Sequence, residues 1–336
     1  MRYLLAILLL SNSYFLFAQT ESLFDYLDAH ADSLQFHLET DYRKLIRSKR
    51  EKEFQPCLLR IVAGERTMEF PGKVRARGHI RLEVCSLPSL KIKLKKKGLR
   101  LEGFTDSLNK LKLIQQCSDG DVGLGYLQRE RLAYQLWDSL GDHGHRTIPL
   151  HLRPRQKPER GKYVAPDVRA LLIEEEKQLE ARYGGRVLRT ARASAGTLDS
   201  IAYAKLCLFN YLILNTDWAI YNLHNVEILA LRNSRPIPIP YDFDYSGFVS
   251  TTYSLPNEQL DIKTVQEPHF LGRKVTPAAL QIAAADFITR ETAVRHLILT
   301  TDLLGKRDRK RILRRLDAFY EILHDEQDLL RLLRNG

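Results

Sequence analysis

The sequence predicts an α+β fold: a β-rich amino-terminal half with one helix inside it, then a helix-rich half with a short hairpin. Three observations predict it. Leu90-Lys91-Ile92-Lys93-Leu94-Lys95 and Lys110-Leu111-Lys112-Leu113-Ile114 alternate apolar and basic residues, the period of strands with one buried face. Residues 124–140, 198–215 and 276–333 repeat apolar residues at helical spacing. Between the last two of these, 225–231 and 236–241 read as paired strands.

At 336 residues, 44% hydrophobic and 28% charged, the chain has the apolar surface for a sizeable core, which excludes wholesale disorder. The net charge of +11 favours anionic partners: phosphate groups, nucleotides, acidic polymers or lipid head groups.

The elements follow in order. Arg2, the apolar run Tyr3 to Leu10 and the small residue Ala18 read as a signal peptide over 1–18, cut after Ala18. The chain is then exported, periplasmic or secreted, with no transmembrane segment after the cut, and nucleic acid is excluded as its partner. Residues 19–54 read as a helical segment: Leu23, Tyr26, Leu27, His30, Leu34, Phe36 and Leu38 recur at roughly helical spacing. Over 56–115, short strands joined by Gly-containing turns form a small, mostly antiparallel sheet with one basic side. The helix 124–140 stops at Gly141, and strands 146–153 and 163–174 flank a Pro- and Arg-containing loop, 154–162. A charged helix from Glu174 to Tyr183 ends at Gly184-Gly185. There are no internal repeats.

Export permits disulfides. The spacing of Cys57, Cys85, Cys117 and Cys207 fits no CxxC metal pattern. Cys207 lies in the apolar helix and reads as a buried free thiol. Cys85 and Cys117 each end or follow a strand and are the expected pair, with Cys57 a competitor for either.

The strongest chemical signal is Asn215-Thr216-Asp217 through Asn222-Leu223-His224-Asn225, followed one hairpin later by Tyr241-Asp242-Phe243-Asp244. A hairpin that folds back places Asp217, Asn222 or Asn225, and Asp242 around one site, an oxygen set suited to Mg²⁺. The alternative is local turn and cap chemistry. On the helix 124–140, Ala133, Leu136, Trp137 and Leu140 share a face with Glu130 at its edge and Arg129 within it. Charges on an inward stripe need partners, so Glu130 is either a site residue or half of a structural Arg–Glu pair. The lysines at 91, 93 and 95–97 form an anion-binding patch or a solvated strand face. His143, His145 and His151 lack a carboxylate or Cys at metal spacing.

Four stretches resemble the CotH-type (spore-coat) secreted atypical protein kinases and related uncharacterised exported bacterial proteins. Arg75-Ala76-Arg77-Gly78-His79 with Leu90-Lys91-Ile92-Lys93-Leu94 looks like the family's RGN segment and K-x-K strand. Gln128-Arg129-Glu130-Arg131-Leu132-Ala133-Tyr134 resembles its R-E-K-L-A-Y helix. Leu171-Leu172-Ile173-Glu174-Glu175 is similar to its L-x-x-E-x strand end, and Asp217 with His224-Asn225 and Asp242-Phe243-Asp244 to its D…HN and D-F/L-D. The resemblance covers roughly residues 55–250.

It implies a bilobal protein-kinase-like domain over 55–336, with a β-rich lobe to about 175 and a helical lobe from about 176. By the kinase template, Asp217 is catalytic and orients the acceptor hydroxyl, while Asn225, Asp242 and Asp244 form the metal set for Mg or Mn. Lys91 or Lys93 contacts the phosphates of ATP, Glu130 pairs with that lysine, and Arg75, Arg77 and Glu174 complete the nucleotide site. The spacing D-x-x-x-x-N of ordinary kinases selects Asn222 instead of Asn225, and no Gly-rich loop is present. The implied activity is phosphate transfer from ATP to hydroxyls of exported proteins. The alternatives are an inactive pseudokinase or envelope interaction module that binds an anionic ligand through the basic sheet, and metal-assisted hydrolysis at the two-Asp site.

Overall fold

The computed structural model describes residues 21–158, 165–189 and 194–334. The expected signal peptide lies outside these residues, as does part of the expected loop 154–162. No helix among the described residues is long and apolar enough to cross a membrane.

The architecture is mixed α+β. The amino-terminal elements are α1 (Leu23–Ala29), β1 (Gln35–Thr40), α2 (Tyr42–Arg47), β2 (Gln55–Ala63), β3 (Arg66–Arg77), α3 (Ile80–Val84), β4 (Ser89–Leu94), α4 (Lys96–Leu101) and β5 (Lys110–Gln115). Then come α5 (Asp121–Leu140), β6 (Thr147–Gln156), β7 (Val168–Ile173), α6 (Glu176–Tyr183) and β8 (Arg186–Leu188). The remainder is α7 (Ser200–Leu212), β9 (Val226–Ala230), β10 (Ile237–Pro240), α8 (Pro277–Thr289), α9 (Glu291–Thr300), α10 (Lys306–His324) and α11 (Glu326–Arg331).

The expected small sheet is a closed barrel in the order β1-β2-β3-β4-β5-β7-β6. Its closure corrects the reading of 19–54 as a helical segment. Leu23 and Leu27 follow a helical period in α1, with Ser22 capping the helix through its side chain. From Leu34 onward the buried positions change to every second residue, Phe36, Leu38 and Thr40, which is a strand. β1 pairs antiparallel with β2 and parallel with β6, from Gln35 opposite His151 to Thr40 opposite Gln156. That parallel seam leaves the barrel without a free edge.

Side chains of all the barrel strands fill its interior, among them Phe36, Ile61, Phe70, Ile92, Leu113 and Leu172. A second core joins α5, α7 and the carboxy-terminal helices around Phe209, Phe243, Phe287 and Phe319. Polar residues on α7 capped by Asp199, whose carboxylate accepts from Ile201 and Ala202 amides, do not prevent this helix from being buried along nearly its whole length. The hairpin β9–β10 gains β8 as a third strand. Three residues were too few to register as a strand in the sequence.

The disulfide joins Cys85 to Cys117, and Cys57 and Cys207 are free and buried. Cys85 closes the five-residue α3, and Leu87 N donates to Cys117 O at 3.1 Å. The bridge thus ties α3 to the chain leaving β5. Mapping of unreduced peptides should recover Cys85 joined to Cys117, with the other two thiols unreactive until the protein unfolds. Closing a loop of this length contributes roughly 3–4 kcal/mol in the chain-entropy account, so reduction should lower Tm clearly.

Candidate functional site

The site begins where α7 ends. Asn215 donates from Nδ2 to Asn210 Oδ1 at 2.8 Å and accepts from Asp217 N at 3.0 Å, which turns the chain out of the helix. A single antiparallel bridge, Ala219 opposite His224, then folds the loop back. His224 Nε2 comes within 2.8 Å of Asp217 Oδ1, and Asn225 Nδ2 donates to Asp217 Oδ2 at 3.0 Å. The Asp217 hydrogen bond holds the His224 imidazolium and pushes its pKa up. Asn222 is exposed and accepts from the His224 amide, whereas Asn225 lines the same cavity as Asp217.

The hairpin supplies the second carboxylate. Its register sets Val226 opposite Pro240, and Tyr241 N donates to Asn225 O at 3.1 Å. Asn225 and Asp242, the residues just beyond the paired ends, both have positive φ, at 52° and 60°. Asn and Asp tolerate that conformation better than other side-chain-bearing residues. Asp242 N donates to Tyr134 Oη at 3.0 Å. Tyr134 and Glu130 lie one turn apart on α5, so one helix face serves both ends of the site.

Glu130 is fully buried and bonded to Arg81, whose Nη2 is 2.5 Å from Glu130 Oε2. The same guanidinium donates from Nε to Asp244 Oδ2 at 2.8 Å. Tyr253 Oη donates to that same oxygen at 2.9 Å. Arg81 is therefore a buried cation shared by two buried carboxylates. Burial pushes the Glu130 carboxyl up against the pull of Arg81, whereas the two carboxylates hold the guanidinium firmly charged.

Asp217, Asn225, Asp242 and Asp244 line one cavity of about 290 Å³, with Arg77, Ser89, Ile114 and the segment from Gly78 to Arg81 as its other walls. Burial and the neighbouring Asp244 push the Asp242 carboxyl up, to about 6, against the pull of Arg81 and Arg77. A divalent cation would relieve that repulsion. Among the described residues no three His, Cys, Asp or Glu side chains cluster closely enough to hold a metal by themselves. The donors at hand are Asp242 and the amide oxygen of Asn225, whose nitrogen is engaged by Asp217. So sparse a set of oxygens fits Mg²⁺, which keeps several waters and shares substrate phosphates.

Several expected assignments change. Glu130 pairs with Arg81, not with Lys91 or Lys93, because Arg81 comes down from α3 between the sheet and α5. Lys91 pairs with Glu175 at 2.9 Å, one register step from the cavity wall, and Lys93 is exposed a step further out. Glu174 is not at the cavity: its oxygens accept from Arg146 and from Arg182. Arg77 lines the cavity, while Arg75 lies over the Phe54 ring at 5.2 Å. The three histidines are dispersed: His145 is buried against Glu227, the His143 ring lies tilted against that of Tyr183, and His151 borders a separate groove. Arg81 was missed. One arginine in a five-residue helix has no periodicity to distinguish it, and only its position beside buried Leu82 hints that it points inward.

No protein-family model matches the chain, and no curated protein matches it. Among solved structures, the chain is similar to the crystal structure of a Helicobacter pylori proinflammatory kinase, CtkA. The identity is 10% over 73% of this chain and 91% of that chain, with a TM-score of 0.39. So distant a likeness does not define what this chain does.

Two outcomes follow from the geometry. Arg81→Met strands two buried carboxylates and should destabilise the fold by about 3–5 kcal/mol. Adding Glu130→Gln to it should restore part of that loss in denaturant unfolding, giving a double-mutant coupling well above zero. Asp242 has a folded pKa above its unfolded value, so its contribution is favourable below about pH 4 and is lost as pH rises through about 6. Asp242→Asn should therefore raise Tm relative to the parent at pH 8, with the gain vanishing near pH 4.

Proposed function

We propose that the chain is an exported, Mg²⁺- or Mn²⁺-dependent phosphotransferase of bilobal kinase-like fold, using ATP and transferring phosphate to hydroxyls of exported proteins. The observation that carries the reading is the convergence of Asp217, Asn225 and Asp242 on one cavity beneath Arg77. These residues come from two separate turns, and a structural role needs no such meeting. The barrel corresponds to the β-rich lobe in this reading and the helices to the second lobe.

The roles follow from the chemistry of each group. Asp217, held by His224 and Asn225, orients the acceptor hydroxyl and takes up its developing proton charge. Asn225 and Asp242 hold the cation, with Asp244 buttressed behind them by Arg81 and Tyr253. When bound, the cation neutralises the charge of the phosphates. Arg77 lines the cavity as the cation offered to a transferring phosphoryl group, since Arg81 is engaged by Glu130 and Asp244, and Lys91 stands one register step behind it. Arg81 keeps the Asp244 and Glu130 charges compatible with a dry site.

A second reading, a non-catalytic module that binds an anionic ligand, has one observation in its favour. Glu130 is occupied by Arg81 and Lys91 by Glu175, so the lysine–glutamate pair of active kinases is not formed. Calorimetric titration with ATP, with and without Mg²⁺ or Mn²⁺, beside a phosphate-transfer assay separates the two. Asp242→Asn should weaken metal-dependent nucleotide binding at least tenfold. Asp217→Asn should leave binding within about threefold and cut transfer by 10²-fold or more, since its effect is confined to the transition state. Absence of metal-dependent nucleotide binding in the parent would leave the anion-binding module.

A further inference from the structure

A groove of about 510 Å³ opens between α5 and the outer face of the barrel and shares no lining residue with the Asp217–Asp242 cavity. α5 lies against β7, where Leu171 and Ile173 join the helical core. Beside them on the outer face comes a row that the helix does not seal. Gln35 on β1 stands opposite His151 on β6, and His151 opposite Arg169 on β7. Leu127, Leu171 and Leu303 give the groove an apolar lining.

Its polar side chains lack partners. Those of Asp32, Gln35, Gln128, Arg131, Arg169 and Asp302 make no hydrogen bond or ion pair with any described residue. Other half-buried arginines are engaged: Arg129, Arg146, Arg311 and Arg315 each bond a carboxylate or a carbonyl. Arg131 is half-buried as well, and Asp302 supports its charge from beyond ion-pair distance against the cost of burial.

The charges are sorted along the groove. Arg131 on α5 and Arg169 on β7 stand at one end, with Asp302 from the chain between α9 and α10. Asp32, in the turn Ala31–Ser33 that leads into β1, stands at the other. Between them the His151 imidazole is neutral, since burial and then Arg169 and Arg153 push its pKa down. A net positive end and a net negative end are thus about 10 Å apart, the width of two strand spacings.

We propose that this groove binds a short peptide with free termini, its carboxylate between Arg131 and Arg169 and its ammonium group at Asp32. Three extended residues span about 10 Å. Guanidinium groups match the planar fork of a carboxylate. Gln35 and Gln128 each offer a donor and an acceptor to the peptide amides between the ends, and the leucines receive apolar side chains. A simple anion would leave Asp32 unmatched, and an acyl chain would leave both glutamine amides unpaired. The inference goes beyond phosphotransfer and does not rest on it.

The probe is the tripeptide Leu-Ala-Leu, titrated calorimetrically into the whole protein beside its carboxamide and its N-acetyl form. The free peptide should bind, amidation should weaken it about tenfold or more, and acetylation should weaken it severalfold. Arg131→Met and Arg169→Gln should each bring the free peptide down to the level of the carboxamide. Asp32→Asn should remove the discrimination against the acetylated form and keep that against the carboxamide. None of these three side chains is bonded within the described chain, so Tm should hold in all three variants. If Arg131→Met unfolds, Arg169→Gln and Asp32→Asn still decide the matter. Failure of the free peptide to bind at millimolar concentration would overturn the proposal, as would equal binding of the carboxamide. Decanoate, a carboxylate on an apolar chain without an amine, should bind more weakly; tighter binding that displaces the peptide would also overturn it. Metal-dependent nucleotide binding should be unchanged in the three variants, so the result stands apart from that of the phosphotransfer reading.

Discussion

The fold around the candidate site depends on one buried guanidinium. Arg81, on the helix α3 that leaves β3, reaches Glu130 on α5 and Asp244 after the hairpin, so a single side chain joins the end of the barrel, the long helix and the helical half. Each of these charges would be strongly unfavourable alone in so dry a place. Together they form a set that cannot be dismantled one member at a time. A short helix such as α3 has little stability of its own. The Cys85–Cys117 bridge at one end and the two carboxylates beneath fix its position.

That network also sets the character of the cavity. Arg81 and Tyr253 both claim the same Asp244 oxygen, which turns this carboxylate into a support. Asp242 receives no comparable neutralisation and carries the unrelieved charge. Asp217, bound on both oxygens by His224 and Asn225, is held in orientation while still reaching the cavity. Three aspartates in one short region thus acquire three different electrostatic situations from their neighbours alone. This division is what a site must have if one carboxylate is to meet a cation and another a hydroxyl.

Much of this was legible in the chain. The alternation at Lys91–Lys95, the helix ending at Gly141, the hairpin and the apolar α7 are written in local periodicity and stop signals, and the structure follows them. The meeting of Asp217, Asn225 and Asp242 was also legible, because a hairpin that begins and ends beside them can only bring them together. Barrel closure was not, since α1 and β1 lie end to end and their apolar residues can be mistaken for one helix. The partner of Glu130 was hidden for a different reason. An ion pair between residues 49 positions apart leaves no trace in spacing, and lysines on a neighbouring strand offered a plausible but wrong partner. Glu174 shows the same limit: its two arginines approach from α6 and from the start of β6.

The span of the Arg81 network has a consequence for how the chain comes into being. Asp244 lies 163 positions after Arg81. During synthesis the barrel strands emerge well before the hairpin, and domains tend to organise in that order. For that interval the guanidinium has Glu130 within the emerged chain but lacks its second carboxylate, and the cavity has no floor. Contacts so distant in sequence also form slowly. A nascent barrel therefore carries an incompletely neutralised inner rim until Asp244, just beyond the hairpin, arrives.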